Sequence, residues 1–71
     1  MFNFDKLLGR IIEKHGTRKA FASEIGMSES SLCDRLNGKI PFKMEEIWKA
    51  ANLLDIRPDE IGEYFFTLKV R

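Results

Sequence analysis

The chain carries few side chains that could support covalent or metal chemistry. His15 is the single histidine and Cys33 the single cysteine among 71 residues. One cysteine excludes an internal disulfide, and the pair leaves no Cys/His metal cluster and no ready histidine-assisted nucleophile. Nothing beside Cys33 favours the thiolate that a redox sensor needs, so we interpret this cysteine as structural. We therefore predict that the protein is not an enzyme and needs no metal or cofactor.

The charged side chains are distributed unevenly along the chain. Lysine and arginine number 12 and the acids 11, so the formal net charge is only +1. Residues 1–43, however, carry 8 basic and 5 acidic side chains, whereas residues 44–71 carry 4 basic and 6 acidic ones. A nucleic-acid-binding protein is usually clearly basic, because its cations neutralise phosphates. Whether the chain can bind nucleic acid therefore depends more on where the N-terminal cations lie than on the total charge.

The composition is that of a small folded domain. A hydrophobic share of 44% is too high for a disordered chain. No apolar run approaches the roughly 18 residues of a membrane span, and the N-terminus lacks a signal-peptide core. A chain this short buries only about 60% of its unfolded surface, so it needs compact packing or a partner subunit. We expect one cytoplasmic domain over residues 1–71, with no membrane contact.

Apolar residues recur at helical rather than alternating spacing. In the first segment they follow the pattern i, i+3, i+4, i+7 and i+8, which places them on one stripe of a helix. They are Phe4, Leu7, Leu8, Ile11 and Ile12. Glycines and hydroxyl-bearing N-cap residues then divide the chain into further helices. The predicted helices cover about 4–15, 18–25, 29–37 and 44–54.

The C-terminal quarter of the chain contains a fifth predicted helix and an irregular end. Pro58 suits the first turn of this helix, which would bury Ile61 and Phe65. Residues 65–70 mix aromatic and β-branched types and form either a short strand or a fraying helix end, with which Met1–Asn3 could pair. The predicted fold class is therefore all-α, a five-helix domain with a possible short C-terminal strand.

Only three residues, Gly26, Met27 and Ser28, join the second and third predicted helices. A turn this short makes two short helices cross steeply, and the small side chain of Ala22 lets them approach closely. This arrangement is a helix-turn-helix. In such a motif the first helix lies across the DNA backbone and the second enters the major groove.

The stretch from Thr17 to Pro41 resembles the helix-turn-helix of phage repressor and Cro-like regulators. The matching features are the capping threonine, the small residue, the turn glycine, the core leucine and the exit tripeptide, at Thr17, Ala22, Gly26, Leu32 and 37–39. The whole chain resembles small phage-encoded Cro-like proteins of Gram-positive bacteria. The resemblance implies a lambda-repressor-like five-helix domain with its helix-turn-helix at about 17–38 and helix 29–37 in the major groove.

This resemblance implies four polar base-contact candidates around the third helix. They are Ser28, Glu29, Ser30 and Asp34. Helix geometry agrees on part of the set, because burial of the leucines at 32 and 36 turns Ser30 and Asp34 to the opposite side. A carboxylate can accept a hydrogen bond from cytosine N4, so Glu29 and Asp34 could select a base. Alternatively, both acids only solvate the helix, and Ser28 is only its N-cap.

Most of the affinity for DNA would come from phosphate contacts. The candidates lie at the starts of the second and fourth helices and near the end of the third: Arg18, Lys19, Arg35, Asn37, Lys39 and Lys43. Each of the cations could instead be an ordinary solvated surface residue. Arg35 departs from the family pattern, in which its position is usually apolar. We expect its stem to cover the core edge and its head to reach the DNA backbone.

The six Phe, one Trp and one Tyr are first of all core candidates. In so small a domain, some of them are also expected to cover an interface. The candidates for a dimer surface are Trp48, Tyr64, Phe65 and Phe66. We expect a homodimer, at least on DNA, because a pseudo-palindromic operator matches the twofold symmetry of a dimer.

Two classes of function remain open at this point. The leading hypothesis is a phage-type transcriptional regulator that binds a double-stranded DNA operator sequence-specifically. The alternative is a helix-turn-helix protein-interaction module, antirepressor or antitoxin-like, without strong DNA binding. The near-neutral net charge keeps this alternative open, since it weakens the attraction of the whole molecule to nucleic acid.

Overall fold

The computed structural model describes residues 2–69, which form five α-helices and no sheet. The helices are α1 (Asp5–His15), α2 (Arg18–Ile25), α3 (Glu29–Leu36), α4 (Met44–Leu53) and α5 (Ile61–Phe65). A single 3-10 turn, Pro58–Glu60, leads into α5. The prediction of an all-α, five-helix fold is confirmed, and the predicted helix ends differ from the observed ones by one residue at the start of α1 and the ends of α3 and α4.

The helices at the centre of the chain begin at hydroxyl caps. The Thr17 hydroxyl accepts a hydrogen bond from the Ala20 backbone N–H at 3.0 Å, and the Ser28 hydroxyl accepts one from the Ser31 N–H at 3.1 Å. Each cap satisfies one of the backbone donors that a helix leaves unpaired in its first turn. Both caps are encoded locally, so α2 and α3 start where the sequence predicts.

The turn between α2 and α3 depends on a glycine. Gly26 has φ +83°, in the left-handed region that favours glycine, and its N–H donates to the carbonyl of Ala22 at 3.0 Å. The Met27 N–H donates to the same carbonyl at 2.9 Å. The chain therefore turns sharply within three residues, and α3 packs against α2.

The core lies between α1, α2, α4 and α5. Each of α1, α3 and α4 packs on α2, and α5 packs on α1 and α4. The largest fully buried side chains are Leu7, Ile11, Phe21, Leu32, Leu54 and Phe65. Within α3 only Leu32 is fully buried, and the exposed residues are those of its first turn, Glu29 and Ser30.

Arg10 joins α1 to the end of α4. Its Nε donates to the carbonyl of Leu54 at 2.9 Å, and Lys14 pairs with the carboxylate of Asp55 at 3.1 Å. Asp55 itself has φ +54°, an uncommon conformation for a residue other than glycine. The α1 side chains thus close the C-terminal end of α4, where helix carbonyls lack partners of their own.

The two ends of the described chain meet beside α5. Phe2 and Leu68 form an isolated antiparallel bridge, and the Asn3 N–H donates to the carbonyl of Thr67 at 2.7 Å. The predicted pairing of the chain ends is confirmed at these residues. The parts of that prediction that concern Met1 and Val70 lie outside the described residues. The pairing brings aromatic side chains from both ends of the chain together.

Candidate functional site

The polar candidates on α3 lie mostly at its exposed N-terminal end. Ser28, Glu29 and Ser30 are exposed, whereas Asp34 is half-buried. The Ser28 hydroxyl is held by its cap bond and by the Ser31 hydroxyl at 3.0 Å. Asn37, directly after the helix, is exposed as well. The structure therefore presents three of the four predicted base-contact residues to solvent, Ser28 as the N-cap and Glu29 and Ser30 in the first turn of α3.

Four of the predicted phosphate contacts are exposed cations without an ion-pair partner in residues 2–69: Arg18, Lys19, Lys39 and Lys43. Arg18 and Lys19 open α2, Lys43 is the N-cap residue of α4, and Lys39 lies in the loop after α3. Cations that no carboxylate neutralises remain able to bind an external anion. Each of these four positions therefore has the charge that a phosphate contact needs.

Arg35 corrects the corresponding expectation. Its Nε and second terminal nitrogen donate to both carboxylate oxygens of Glu46, at 2.8 and 3.0 Å, and its remaining nitrogen donates to the carbonyl of Ser31 at 3.0 Å. The two charged side chains are only 11% and 18% exposed. The guanidinium is thus engaged inside the protein instead of reaching toward a DNA backbone, because the two-point carboxylate contact and the Ser31 carbonyl occupy its nitrogens.

Glu46 extends this contact into the start of α4. Its Oε1 also accepts from the Lys43 backbone N–H at 2.9 Å, which leaves the carboxylate bound to two elements at once. The hydrogen bond from Arg35 lowers the pKa of Glu46 below the ordinary value of a glutamate, and the Lys43 N–H adds to that effect. We call these contacts among Arg35, Glu46 and Lys43 the α3–α4 clasp. It fixes the loop that follows α3.

A cleft of about 240 Å³ opens beside the end of α3. Its apolar walls come from both chain ends and from the loop before α4, and we call it the aromatic cleft: Phe2, Phe4, Ile40, Phe42, Phe65 and Phe66. Rings in its walls meet edge to face, with centroids 5.3 Å apart for Phe4 and Phe42, 5.3 Å for Phe42 and Phe65, and 5.7 Å for Phe2 and Phe66. These are the spacings of favourable aromatic pairs.

The rim of the aromatic cleft is unusually apolar for a solvent-facing surface. Phe2 is 41% exposed, Ile40 39% and Phe66 51%. Apolar side chains clustered at one place on a surface mark an interaction site more often than scattered ones do. Of the rings in the cleft, the sequence predicts only Phe65 and Phe66 as interface residues, and the others are first of all core candidates. The number of aromatic residues in so short a chain was the available signal.

A second, polar depression of about 270 Å³ adjoins the cleft. It shares Phe2 and Phe4 with the cleft walls and is otherwise lined mainly by Asn3, Asp5, Leu36, Asn37 and Lys69. The aromatic cleft therefore has hydrogen-bonding and charged groups of both signs along one border. A polar border around an apolar centre is the usual anatomy of a protein–protein contact surface.

The dimer-surface candidates fall into different environments. Trp48 is 48% exposed on α4, and Phe66 lies at the cleft rim. Tyr64 is half-buried beneath Lys6, whose Nζ lies 4.7 Å from the ring centroid. Phe65 corrects the expectation of a surface role, since it is 2% exposed and packs on the ring of Phe42 in the core. The prediction that helix five buries Phe65 is confirmed.

His15 and Cys33, the single histidine and the single cysteine, are both half-buried. The His15 ring meets the edge of Phe21 at 5.1 Å, and its Nε2 is buried without a hydrogen-bond partner in the described chain. Cys33 is a half-buried free thiol on α3. Residues 2–69 contain no group of three or more side chains that could hold a metal ion. None of the helices in this part of the chain has the length and apolar character to cross a membrane.

Comparison with known proteins places the fold among phage regulators. Residues 1–68 match the model of a family described as a protein of unknown function (DUF739). No curated protein sequence matches the chain. A solved structure, that of the modulator of repression (MOR) of the temperate bacteriophage TP901-1 from Lactococcus lactis, is similar with a TM-score of 0.82 and 41% identity. The match covers 99% of this chain and 95% of that one, so the two share their fold over nearly the whole length.

Proposed function

Because the chain belongs to the DUF739 family and shares its fold with a phage modulator of repression, we propose that it is a phage regulator that modulates repression by binding another protein. The partner we propose is the repressor of the same phage, and the contact surface is the aromatic cleft with its rim. The observation that carries this proposal is the cluster of exposed Phe2, Ile40 and Phe66 around the 240 Å³ cleft.

The size of the cleft favours a protein partner over a small molecule. Small-molecule pockets usually measure about 300–1,000 Å³ and enclose most of their ligand. The aromatic cleft is smaller, at about 240 Å³, and is open to solvent along an apolar rim. Such a cleft suits one large apolar side chain that a partner inserts as an anchor, with the rim closing around it. A repressor that presents an aromatic or aliphatic anchor is therefore the proposed occupant.

The charges on α3 favour the same conclusion. The helix carries Glu29 and Asp34, and its one cation, Arg35, is engaged by Glu46. A groove-entering helix with no free cation gains little from phosphates and must rely on residues around it. A protein partner can instead supply cations to these carboxylates. The arrangement therefore supports protein binding as the main activity.

The experiment is calorimetric titration of the phage's repressor with the intact protein and two matched variants. Phe66→Ser removes an exposed ring from the cleft rim, and Trp48→Ser removes a similarly exposed ring from α4. We expect Phe66→Ser to weaken binding roughly thirty-fold, the effect of losing a hot-spot contact of about 2 kcal/mol. The Trp48→Ser control should bind like the unchanged protein. Equal affinities for all three proteins, or loss only in Trp48→Ser, would overturn the proposal.

A second candidate function is sequence-specific binding of a double-stranded DNA operator. The supporting observation is the exposed first turn of α3, which follows a three-residue turn and has unpaired cations nearby at Arg18, Lys19 and Lys39. In this proposal α3 enters the major groove and two copies bind a pseudo-palindrome. Trp48 remains a candidate for the surface that would join the copies.

Selection of bound duplexes from a random pool, with the purified protein, tests this second function. An enriched palindrome would support it. Arg18→Ala and Lys39→Ala should then each weaken DNA binding similarly for every sequence and each reduce the salt-dependence slope by about 1. Phe66→Ser should leave DNA binding unchanged. A pool without enrichment would contradict sequence-specific DNA binding and would leave the proposed protein binding unaffected.

A further inference from the structure

We infer that the aromatic cleft and the phosphate candidates that follow α3, above all Lys39, form a single footprint, so a protein seated in the cleft excludes double-stranded DNA from this chain. The inference rests on the proposed protein binding and on the second candidate function. It adds a rule for how the two relate: the molecule engages either partner but not both.

Lys39 lies between two residues of the cleft wall. The residues on either side of it, Gly38 and Ile40, both line the cleft, and consecutive Cα atoms are only about 3.8 Å apart. The loop is also folded back on α3, since the N–H groups of Lys39 and Ile40 donate to the carbonyl of Asp34 at 2.9 and 3.3 Å. A partner that closes over the cleft rim therefore reaches the backbone that carries this phosphate candidate.

Two further phosphate candidates border the cleft in different ways. Asn37 lines the polar depression that shares Phe2 and Phe4 with the cleft. Lys43 is bound through its N–H to Glu46, which in turn holds Arg35, a residue of the cleft wall. The α3–α4 clasp thus ties the start of α4 to the same surface. Three of the proposed DNA contacts are thus chain neighbours of cleft-wall residues, since Asn37 and Lys39 flank Gly38 and Lys43 follows Phe42.

The expected size of a stable interface decides whether a partner could avoid these residues. A specific protein complex buries about 800 Å² on each partner, which corresponds to a patch roughly 16 Å in radius. The whole chain exposes 4820 Å² and measures 31 × 25 × 22 Å. A patch of that size centred on the cleft covers about a sixth of the surface and extends well beyond Lys39. DNA and the partner consequently compete for the same area.

Photo-crosslinking measures this competition directly. The intact protein is mixed with a photoreactive duplex of roughly 20 base pairs, about two helical turns, at low salt, and the crosslinked band of this 8.3 kDa chain is quantified. The phage's repressor is then added at about twenty times its Kd for the unchanged protein, which fills that protein but leaves most of a thirty-fold weaker variant free. Duplex is in molar excess over both proteins so that repressor cannot deplete it. We expect the crosslink to this chain to fall at least tenfold. In Phe66→Ser the crosslink should persist, and in Trp48→Ser it should fall as in the unchanged protein.

The possible results separate the inference from the functions on which it rests. A crosslink that persists while calorimetry shows the repressor bound would overturn the inference and leave the proposed function standing. Absence of repressor binding by calorimetry would overturn both. A chain that forms no crosslink even without repressor would also overturn the inference, since no DNA contact would exist to exclude.

Discussion

The exposed face of α2 and α3 and the aromatic cleft adjoin each other but are assembled in opposite ways. The first is formed by one continuous stretch, residues 17–37, with hydroxyl caps and a glycine turn that act within a few residues. The second is formed by apolar side chains from three segments that are far apart in the chain: Phe2 and Phe4, residues 40–42, and residues 65–66. One surface is polar and locally determined, whereas the other is apolar and depends on the packing of both chain ends.

This difference shows that a small domain can carry two surfaces of different origin, one set by a local sequence motif and one set by long-range packing. Residues 17–37 hold α3 in place, and the packing of both chain ends creates a second surface with stronger apolar character. The two surfaces should consequently respond differently to substitution. Changes in cleft packing should cost folding stability, whereas changes on the α2–α3 face should cost little beyond their own local bonds.

The largest expected effect comes from the buried wall of the cleft. Phe65→Ala removes a ring that is 2% exposed and contacts Phe42, and we expect a loss of about 3–5 kcal/mol in the free energy of unfolding. Its neighbour Phe66 is 51% exposed, so Phe66→Ala should cost less than about 1 kcal/mol. Urea denaturation followed by circular dichroism measures both. Similar losses in the two variants would contradict the placement of Phe65 in the core.

The clasp between α3 and α4 is the next contact in expected effect. Arg35→Met leaves the Glu46 carboxylate, only 18% exposed, without its main partner, and we expect a loss of about 3 kcal/mol. The double variant Arg35→Met/Glu46→Leu removes both charges together and should recover most of that stability. A thermal or urea denaturation series tests this pair of outcomes. If the double variant is no more stable than the single one, the loss comes from removal of the ion pair itself and not from the unpaired Glu46 carboxylate that Arg35→Met leaves behind.

The same clasp predicts a dependence of stability on pH. Because the Arg35 hydrogen bond lowers the pKa of Glu46 in the folded state, its contribution is complete above the unfolded value of about 4.5 and is lost as the pH falls through the lower folded value. Glu46→Gln should therefore show a shallower loss of stability than the unchanged protein on acidification below 4.5. Denaturation at a series of acidic pH values measures the slopes. Identical slopes would count against a lowered Glu46 pKa.

The smallest effect is expected on the α2–α3 face. Ser28→Ala removes the hydroxyl that accepts from the Ser31 N–H, and we expect a cost of about 1 kcal/mol. Glu29→Ala, at the next residue, removes no hydrogen bond found in the described chain and should change stability by less than about 0.5 kcal/mol. Chemical denaturation compares the two. A large loss in Glu29→Ala would mean that this face is less locally determined than the cap geometry indicates.

The fold was largely predictable because its signals are local. The i, i+3, i+4 spacing of apolar residues, the cap at Thr17 and the turn at Gly26 each act within one or two helical turns. The helices α1 to α4 begin and end at or within one residue of the predicted positions, whereas the predicted first turn of the fifth helix at Pro58 is a 3-10 turn and α5 begins at Ile61. The isolated bridge of Phe2 and Leu68 was also foreseeable, because the chain ends combine residue types that favour extended pairing.

The candidate site was predictable only in part, since its decisive contacts join distant segments. Arg35 and Glu46 are separated by eleven positions, and no spacing rule announces that the arginine turns to that carboxylate rather than to solvent. The cleft likewise depends on how both chain ends pack against the loop at Phe42. Composition registered an excess of aromatic rings, but only the three-dimensional arrangement shows which of them form the exposed rim.

The most direct test of protein binding through the aromatic cleft is backbone chemical-shift mapping. The isotopically labelled protein is titrated with the phage's unlabelled repressor, and the amide shifts are followed along the chain. We predict that the largest changes cluster at 38–42 and 65–68, with little change at Trp48. Changes confined to the start of α2 and the first turn of α3, with the cleft amides unmoved, would contradict the proposal that the cleft receives the partner.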